Sequence, residues 1–126
     1  MTNAQPGIST AVLGASPNEE RYSFKAVRML REYGFIPVPV HPAGHTVDGI
    51  AGLKSLSEIE TDIDTLTVYV NSNISDKEYD NIIKLNPRRV IFNPGAENWA
   101  LAKRLNDKGI DVVHACTLVM LRTKRF

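Results

Sequence analysis

The most constraining feature of this chain is an alternation. Short apolar runs bounded by turn residues take turns with longer stretches of helical periodicity. Thr10-Ala-Val-Leu13 is a buried-strand run closed by Gly14. Ser16-Pro17-Asn18 then carries helix-start chemistry, followed by the acids Glu19 and Glu20. Ala26, Met29, Leu30 and Tyr33 recur at i, i+3, i+4 and i+7 with Phe24 and Val27 beside them, and Gly34 is placed to end that helix. Phe35 to Val40 is a second strand, whose two prolines demote it toward an irregular or edge-like stretch.

The segment from His45 to Asp64 is the least regular, with an Asp48-Gly49 turn and a short helical turn over 55–60. The β-rich run Thr65 to Val70 gives a third strand. Ser75-Asp-Lys-Glu78 reads as a capping box before a helix stopped by Asn86-Pro87. Val90 to Phe92 is a fourth strand, and a helix over about 96–108 is closed by Gly109. Ile110 to Val113 is a fifth strand, and Cys116 to Met120 a last turn of helix or a short strand.

Strands separated by helices require right-handed crossovers and parallel pairing. The expected fold is α/β: a three-layer, doubly wound, Rossmann-like domain with a five-stranded parallel sheet in the order 3-2-1-4-5. Residues 1–8 are expected as an N-terminal arm and 9–126 as the domain. Such sheets bind ligands at the carboxyl ends of their strands, where the order reverses. That points to the loops Gly14–Ser23, His41–Gly44, Asn71–Asn73 and Asn93–Glu97.

Composition narrows the function classes. The chain has 126 residues, 43% hydrophobic and 23% charged, ordinary for one globular domain. No apolar run reaches the roughly 18 residues of a membrane span, and the first residues lack the pattern of a signal peptide. The single cysteine, Cys116, makes no internal disulfide, so the cytoplasm is the expected compartment. Net charge is +1, with −2 in residues 1–63 and +3 in 64–126. That is too mild for a nucleic-acid footprint and compatible with a small anionic ligand.

The first loop offers a close backbone approach at Gly14, a hydroxyl and cap at Ser16, helix N-terminal N–H groups, and Arg21 and Ser23. An ordinary strand-to-helix turn with a solvent arginine accounts for the same residues. Only one glycine of a G-x-G-x-x-G fingerprint is present, and His41 stands where a dinucleotide site has an acid for the ribose. There is no G-x-x-x-x-G-K-[ST] loop.

Gly14-Ala-Ser16 with Arg21-x-Ser23 resembles the opening of small stand-alone CoA-binding proteins, relatives of the CoA-binding domain of the succinyl-CoA synthetase alpha subunit. Gly34-Phe-Ile-Pro-Val-Pro-Val-His-Pro42 is similar to that family's G-x-x-V-x-P-V-N-P, and Asn93-Pro-Gly-Ala-Glu-Asn98 to its Q-P-G-A-E-N. Gly49, Ser55-Leu-Ser-Glu-Ile59 and Gly109-Ile extend the likeness over roughly residues 8–118. The resemblance implies a Rossmann-type fold holding coenzyme A or acyl-CoA across the carboxyl edge of the sheet. Gly14, Ala15 and Ser16 would lie under the pyrophosphate, supported by Arg21 and Ser23. Val40, His41 and Pro42 would face the adenosine. Val70 and Asn71 would flank the nucleotide, and Asn93, Pro94 and Gly95 would border the pantetheine path. His41 replaces the family's Asn, Asn93 replaces its Gln, and the tail Leu118–Phe126 is not the family's ending.

Catalytic chemistry has less support. His41, His45 and His114 match no H-E-x-x-H or C-x-x-C pattern, His45 reads as a lone surface histidine, and Ser16 and Ser23 have no visible base. Cys116 reads as a small, partly buried apolar residue beside Leu118 and Met120, with thiol exchange against CoA as the sharper alternative. Arg88-Arg89 and Lys103-Arg104 read as solvated faces, with either pair a candidate for the 3′-phosphate of CoA. Trp99 reads as core or interface packing, and with the apolar tail it is the feature on which a homodimer would rest. The expectation is a cytoplasmic CoA-binding carrier, sensor or regulatory module without a catalytic, metal, nucleic-acid or membrane site. The alternatives are an enzyme using NAD(P) or acyl-CoA, and an interaction protein with a degenerate cleft.

Overall fold

In the computed structural model, residues 4–5 and 7–126 are described. The expected arm over 1–8 therefore falls partly outside the described residues; of it, the Ala4 N–H donates to the Phe126 carbonyl at 2.7 Å. Five strands, β1 (Ser9–Leu13), β2 (Ile36–Val40), β3 (Thr65–Val68), β4 (Arg89–Phe92) and β5 (Asp111–His114), form one all-parallel sheet. The helices are α1 (Tyr22–Glu32), α2 (Ser72–Ser75), α3 (Tyr79–Leu85), α4 (Trp99–Asp107) and α5 (Thr117–Arg122), with 3₁₀ turns at Leu56–Glu58 and Asp76–Glu78.

The class is the expected one, but the strand order is β2-β1-β3-β4-β5 rather than 3-2-1-4-5. The prolines of β2 explain the difference. The Ile36 N–H donates inward to Ile8, and β2 pairs with β1 from Ser9↔Ile36 to Leu13↔Val40. Pro37 and Pro39 alternate with those residues, so they face outward with no N–H to give. No strand can continue the ladder there, and β3 sits on the far side of β1. The outer edge of β2 is closed instead by chain from the irregular segment: Leu53 N–H donates to Pro39 and His41 N–H to Leu53, both at 2.9 Å.

Two apolar layers flank the sheet. Val12, Phe24, Val27, Leu30, Ile91, Leu121 and Phe126 form one with α1 and α5. Ala11, Leu13, Leu66, Val68, Ile82, Val90, Phe92, Leu101 and Leu105 form the other with α3 and α4. Fully burying each such Leu, Ile or Phe contributes about 1.5–3 kcal/mol. This buried stripe, rather than a cap, holds α1, since its N-cap residue Arg21 supplies no side-chain bond.

Several local expectations change. The capping box at Ser75 does not form. The helix begins at Ser72, where the Asn71 Oδ1 accepts from the Ile74 N–H, and Ser75 is buried against Asn98. Arg89 is no solvated residue. It is fully buried at the start of β4, with its guanidinium 4.5 Å from the Phe126 ring centroid, and burial brings its pKa down to about 10. Arg88 pairs with Asp64 at 2.9 Å. Arg89 starts β4, with Arg88 just before it, at the amino edge of the sheet, opposite the carboxyl edge. Trp99 is 70% exposed, so it is not in the core.

Candidate functional site

With this order the direction of winding reverses between β1 and β3, which places the ligand crevice beside the loops after those two strands. An open cleft of about 390 Å³ lies there. It is lined by Gly14, Ser16, Arg21 and Ser23 from the first loop, His41 and His45 from the second, Tyr69 after β3, and Pro94 and Gly95 after β4, with Tyr22 at the start of α1. A second chamber of about 360 Å³ shares Tyr22, Tyr69 and Pro94 with the first. Cys116, Leu118 and Val119 wall it, and Lys25 and Arg122 are its cations.

Gly14 has φ +88°, and a Cβ there would stand 2.8 Å from Val70 Cγ1. Glycine is thus required both by the turn and by the packing of the loop after β3. The amides of Gly14 and Ala15 both donate to the Val40 carbonyl, at 2.8 and 3.2 Å. The loop is stapled to β2, and these two N–H groups are spent. The Ser16 N–H donates to Ser23 Oγ, and Asn18 N–H to Ser16 Oγ, both at 3.1 Å. A tight turn follows, so α1 starts at Tyr22 and not at the Ser16-Pro17 signal. The donors left facing the cleft are the first-turn amides of α1, the exposed Arg21 guanidinium and the serine hydroxyls.

The second loop is braced from two sides. Asp48 pairs with Arg28 and Arg31 of α1, and the Arg28 guanidinium holds the Asp48 carboxyl below the usual carboxylate range. Gly52 lies so close to His45 that a Cβ there would overlap the His45 carbonyl. The His41 and His45 rings meet with centroids 4.5 Å apart. His45 is therefore a wall of the cleft and no lone surface residue; its spacing of four from His41 was the signal to follow. Burial lowers the His41 pKa, and His45 lowers it further.

The fourth loop is organised by Asn93, which is 1% exposed. Its Nδ2 donates to Thr67 Oγ1 (2.7 Å) and to the Val68 carbonyl (2.9 Å), while its Oδ1 accepts from the Thr117 N–H (2.9 Å). It borders the second chamber with its amide spent on β3 and α5. At the rim, the Glu97 carboxylate accepts from the Gly95 N–H, and the backbone N–H groups of Glu97 and Gly95 hold its pKa low. His114 is stacked between Phe92 and Trp99, its ring centroid 3.7 Å from that of the tryptophan, and burial lowers its pKa.

Of the residues singled out in the sequence, Gly14, Ser16, Arg21, Ser23, His41, Pro94 and Gly95 share the first chamber, and Asn93 borders the second. Ala15, Val40, Pro42, Val70 and Asn71 stand behind or beside these linings. Tyr22, Lys25, His45, Tyr69, Leu118, Val119 and Arg122 are the additions. Burial pushes the Tyr69 phenol up, so it is neutral throughout the physiological range. Its signal was its place directly after β3, readable only with the correct strand order. Among the described residues no cluster of three or more metal-ligating side chains occurs, and no helix is long and apolar enough to cross a membrane.

The chain is similar over 97% of its length to the whole of an uncharacterised protein of known crystal structure, at 38% identity and a TM-score of 0.90. A Thermus thermophilus protein matches 95% of this chain and 91% of its own, at 28% identity and a TM-score of 0.85. The dinucleotide-forming acetyl-coenzyme A synthetase 1 of Ca. Korarchaeum cryptofilum shares the fold over 87% of this chain and 26% of its own, at 18% identity and a TM-score of 0.74. The CoA binding domain family matches residues 9–122, from the start of β1 to the end of α5, and the chain belongs to that family.

Proposed function

We propose that the two-chambered cleft binds coenzyme A, free or acylated, and that the chain serves in the cytoplasm as a carrier, sensor or regulatory module rather than as a catalyst. The observation that carries this reading is the uncapped first turn of α1, opening with Arg21, Ser16 and Ser23 onto a cleft whose described lining contains no carboxylate. A diphosphate is the ligand group that such donors suit. Family membership makes coenzyme A the natural bearer of that diphosphate.

In this arrangement the diphosphate sits over Gly14-Ala15-Ser16 at the α1 N-terminus. The adenosine turns toward Val40, His41 and Pro42, with Val70 and Asn71 beside the nucleotide. The pantetheine passes Asn93, Pro94 and Gly95 into the chamber walled by Tyr69, Leu118 and Val119. Cys116 also lines that chamber. Ser16 and Ser23 each accept a backbone N–H, which favours positioning roles over nucleophilic ones. His41, where a ribose-binding acid would stand, favours CoA over NAD.

Calorimetric titration with CoA, 3′-dephospho-CoA and NAD tests the proposal. Saturable binding of CoA is expected, and no heat with either CoA compound at millimolar ligand would sink it. A thermal-shift preference for NAD over CoA would move the chain to the dinucleotide enzymes.

A further inference from the structure

We infer that His41 and His45 form a proton-coupled phosphate subsite, binding a phosphoryl group of the nucleotide by taking up a proton as the ligand enters. This rests on the CoA-binding reading of the cleft and names a property of the same site.

The tautomer of His41 is fixed by its neighbour. The Ala43 N–H donates to His41 Nδ1 at 3.0 Å, so Nδ1 carries a lone pair and the single ring proton is on Nε2. The neutral ring is thus a donor through one nitrogen only. Protonating Nδ1 breaks the Ala43 bond and brings a cation within 4.5 Å, centroid to centroid, of the His45 ring. The rings do not drift apart to relieve this. Gly52 presses against the His45 carbonyl, the Leu53 carbonyl accepts the His41 N–H, and Asp48 ties the loop to Arg28 and Arg31.

The charges around the pair point the same way. The first loop contributes Arg21, and α1 contributes Tyr22. The segment beyond the second loop contributes Lys54, whose side chain lies over Gly44, and Glu58, whose carboxylate accepts the Lys54 N–H. The loop after β3 contributes the neutral Tyr69. At the far rim the Glu97 carboxylate is engaged by the Gly95 N–H. No acid among the described lining residues offsets a charged imidazole, which disfavours protonating His41, and its lowered pKa agrees. A bound phosphate supplies the missing counter-charge. It stabilises the imidazolium, recruits a proton and makes the Nε2–H donor charge-assisted. The shared ligand chemistry is an oxyanion on phosphorus, either the diphosphate or the 3′-phosphomonoester.

The test is calorimetry of CoA into the full chain at pH 7 in two non-phosphate buffers of different ionisation enthalpy. The slope of heat against ionisation enthalpy counts the protons taken up. Wild type should take up roughly half to one proton per CoA, and affinity should rise about three- to tenfold from pH 8 to pH 6.5. The H41N/H45N double variant keeps polar side chains without titrating groups. It should bind CoA more weakly, with no proton uptake and a flat pH profile, and circular dichroism should show it folded. If 3′-dephospho-CoA keeps the uptake, the pair serves the diphosphate; if it loses the uptake, the pair serves the 3′-phosphate. CoA binding with buffer-independent heat overturns the subsite alone, as does undiminished uptake in the double variant. Absence of CoA binding overturns the reading of the cleft itself.

Discussion

Asn93→Ala separates a structural from a ligand-contacting role in the loop after β4. In the wild type the side chain satisfies three groups at once. They do not suffer equally from its removal. Thr67 Oγ1 keeps its 2.8 Å bond to Thr117 Oγ1, and the Val68 carbonyl keeps the Asn93 N–H at 3.3 Å. The Thr117 N–H has only Asn93 Oδ1, and Thr117 is fully buried. Its orphaned donor costs about 1–3 kcal/mol. The small void left by the carboxamide adds to this, giving about 2–4 kcal/mol in all. For a domain of this size that is a fall in Tm of about 8–15 °C. Urea unfolding followed by circular dichroism measures it directly, with an unchanged m-value expected. CoA affinity measured well below the new midpoint should stay within about threefold, because the amide is turned inward. A loss of stability under about 1 kcal/mol, or a collapse of affinity without one, would refute the assignment of Asn93 as a stitch between β3, β4 and α5.

The remaining predictions concern the first loop and the amino edge of the sheet. Arg21→Ala should weaken CoA by about 1–2 kcal/mol with nearly unchanged Tm, since the exposed guanidinium makes no cap bond; calorimetry and a melting curve decide it. Gly14→Ala forces a Cβ into a φ of +88° and against Val70, so Tm should fall and CoA affinity with it, by about 1–3 kcal/mol of stability. Burial pushes the Asp64 carboxyl up, but the bidentate Arg88 guanidinium and the Thr65 hydroxyl outweigh it and hold the pKa below the usual value. The stabilisation is therefore present above about pH 4 and is lost as pH falls through the lower, folded-state value. Acid unfolding of Asp64→Asn should show a weaker pH dependence below pH 4 than wild type, whereas parallel curves would contradict the pairing.

The elements of this fold were legible because each apolar run carried its own period. Ala26, Leu30 and their neighbours announce α1, and β1 and β4 appear as short runs between turns. The order of the strands was less legible, although the prolines that decide it were in view. Pro37 and Pro39 deny β2 a second neighbour, and that fact is enough to place β3 beyond β1. What no local pattern conveys is how polar side chains divide their bonds in three dimensions. Ser75-x-x-Glu78 has the spacing of a cap, yet Asn71 takes that duty and Ser75 turns to Asn98. Arg89 has the character of a surface residue, yet it lies buried under Phe126.

The position of β3 also decides what the cleft is made of. In a 3-2-1-4-5 sheet the reversal would lie between β1 and β4, and the loop after β3 would stand two strands away from Gly14. In the observed order Tyr69 follows β3 at the reversal itself, with its amide donating to Leu13. Tyr69 then joins Tyr22 and Pro94 in the wall shared by the two chambers. A ligand with a charged nucleotide end and a long, weakly polar arm matches that division; a symmetric dinucleotide would have to place a polar nucleoside against Leu118 and Val119. The two prolines of β2 thus shape the make-up of the cleft through topology, although neither lines either chamber.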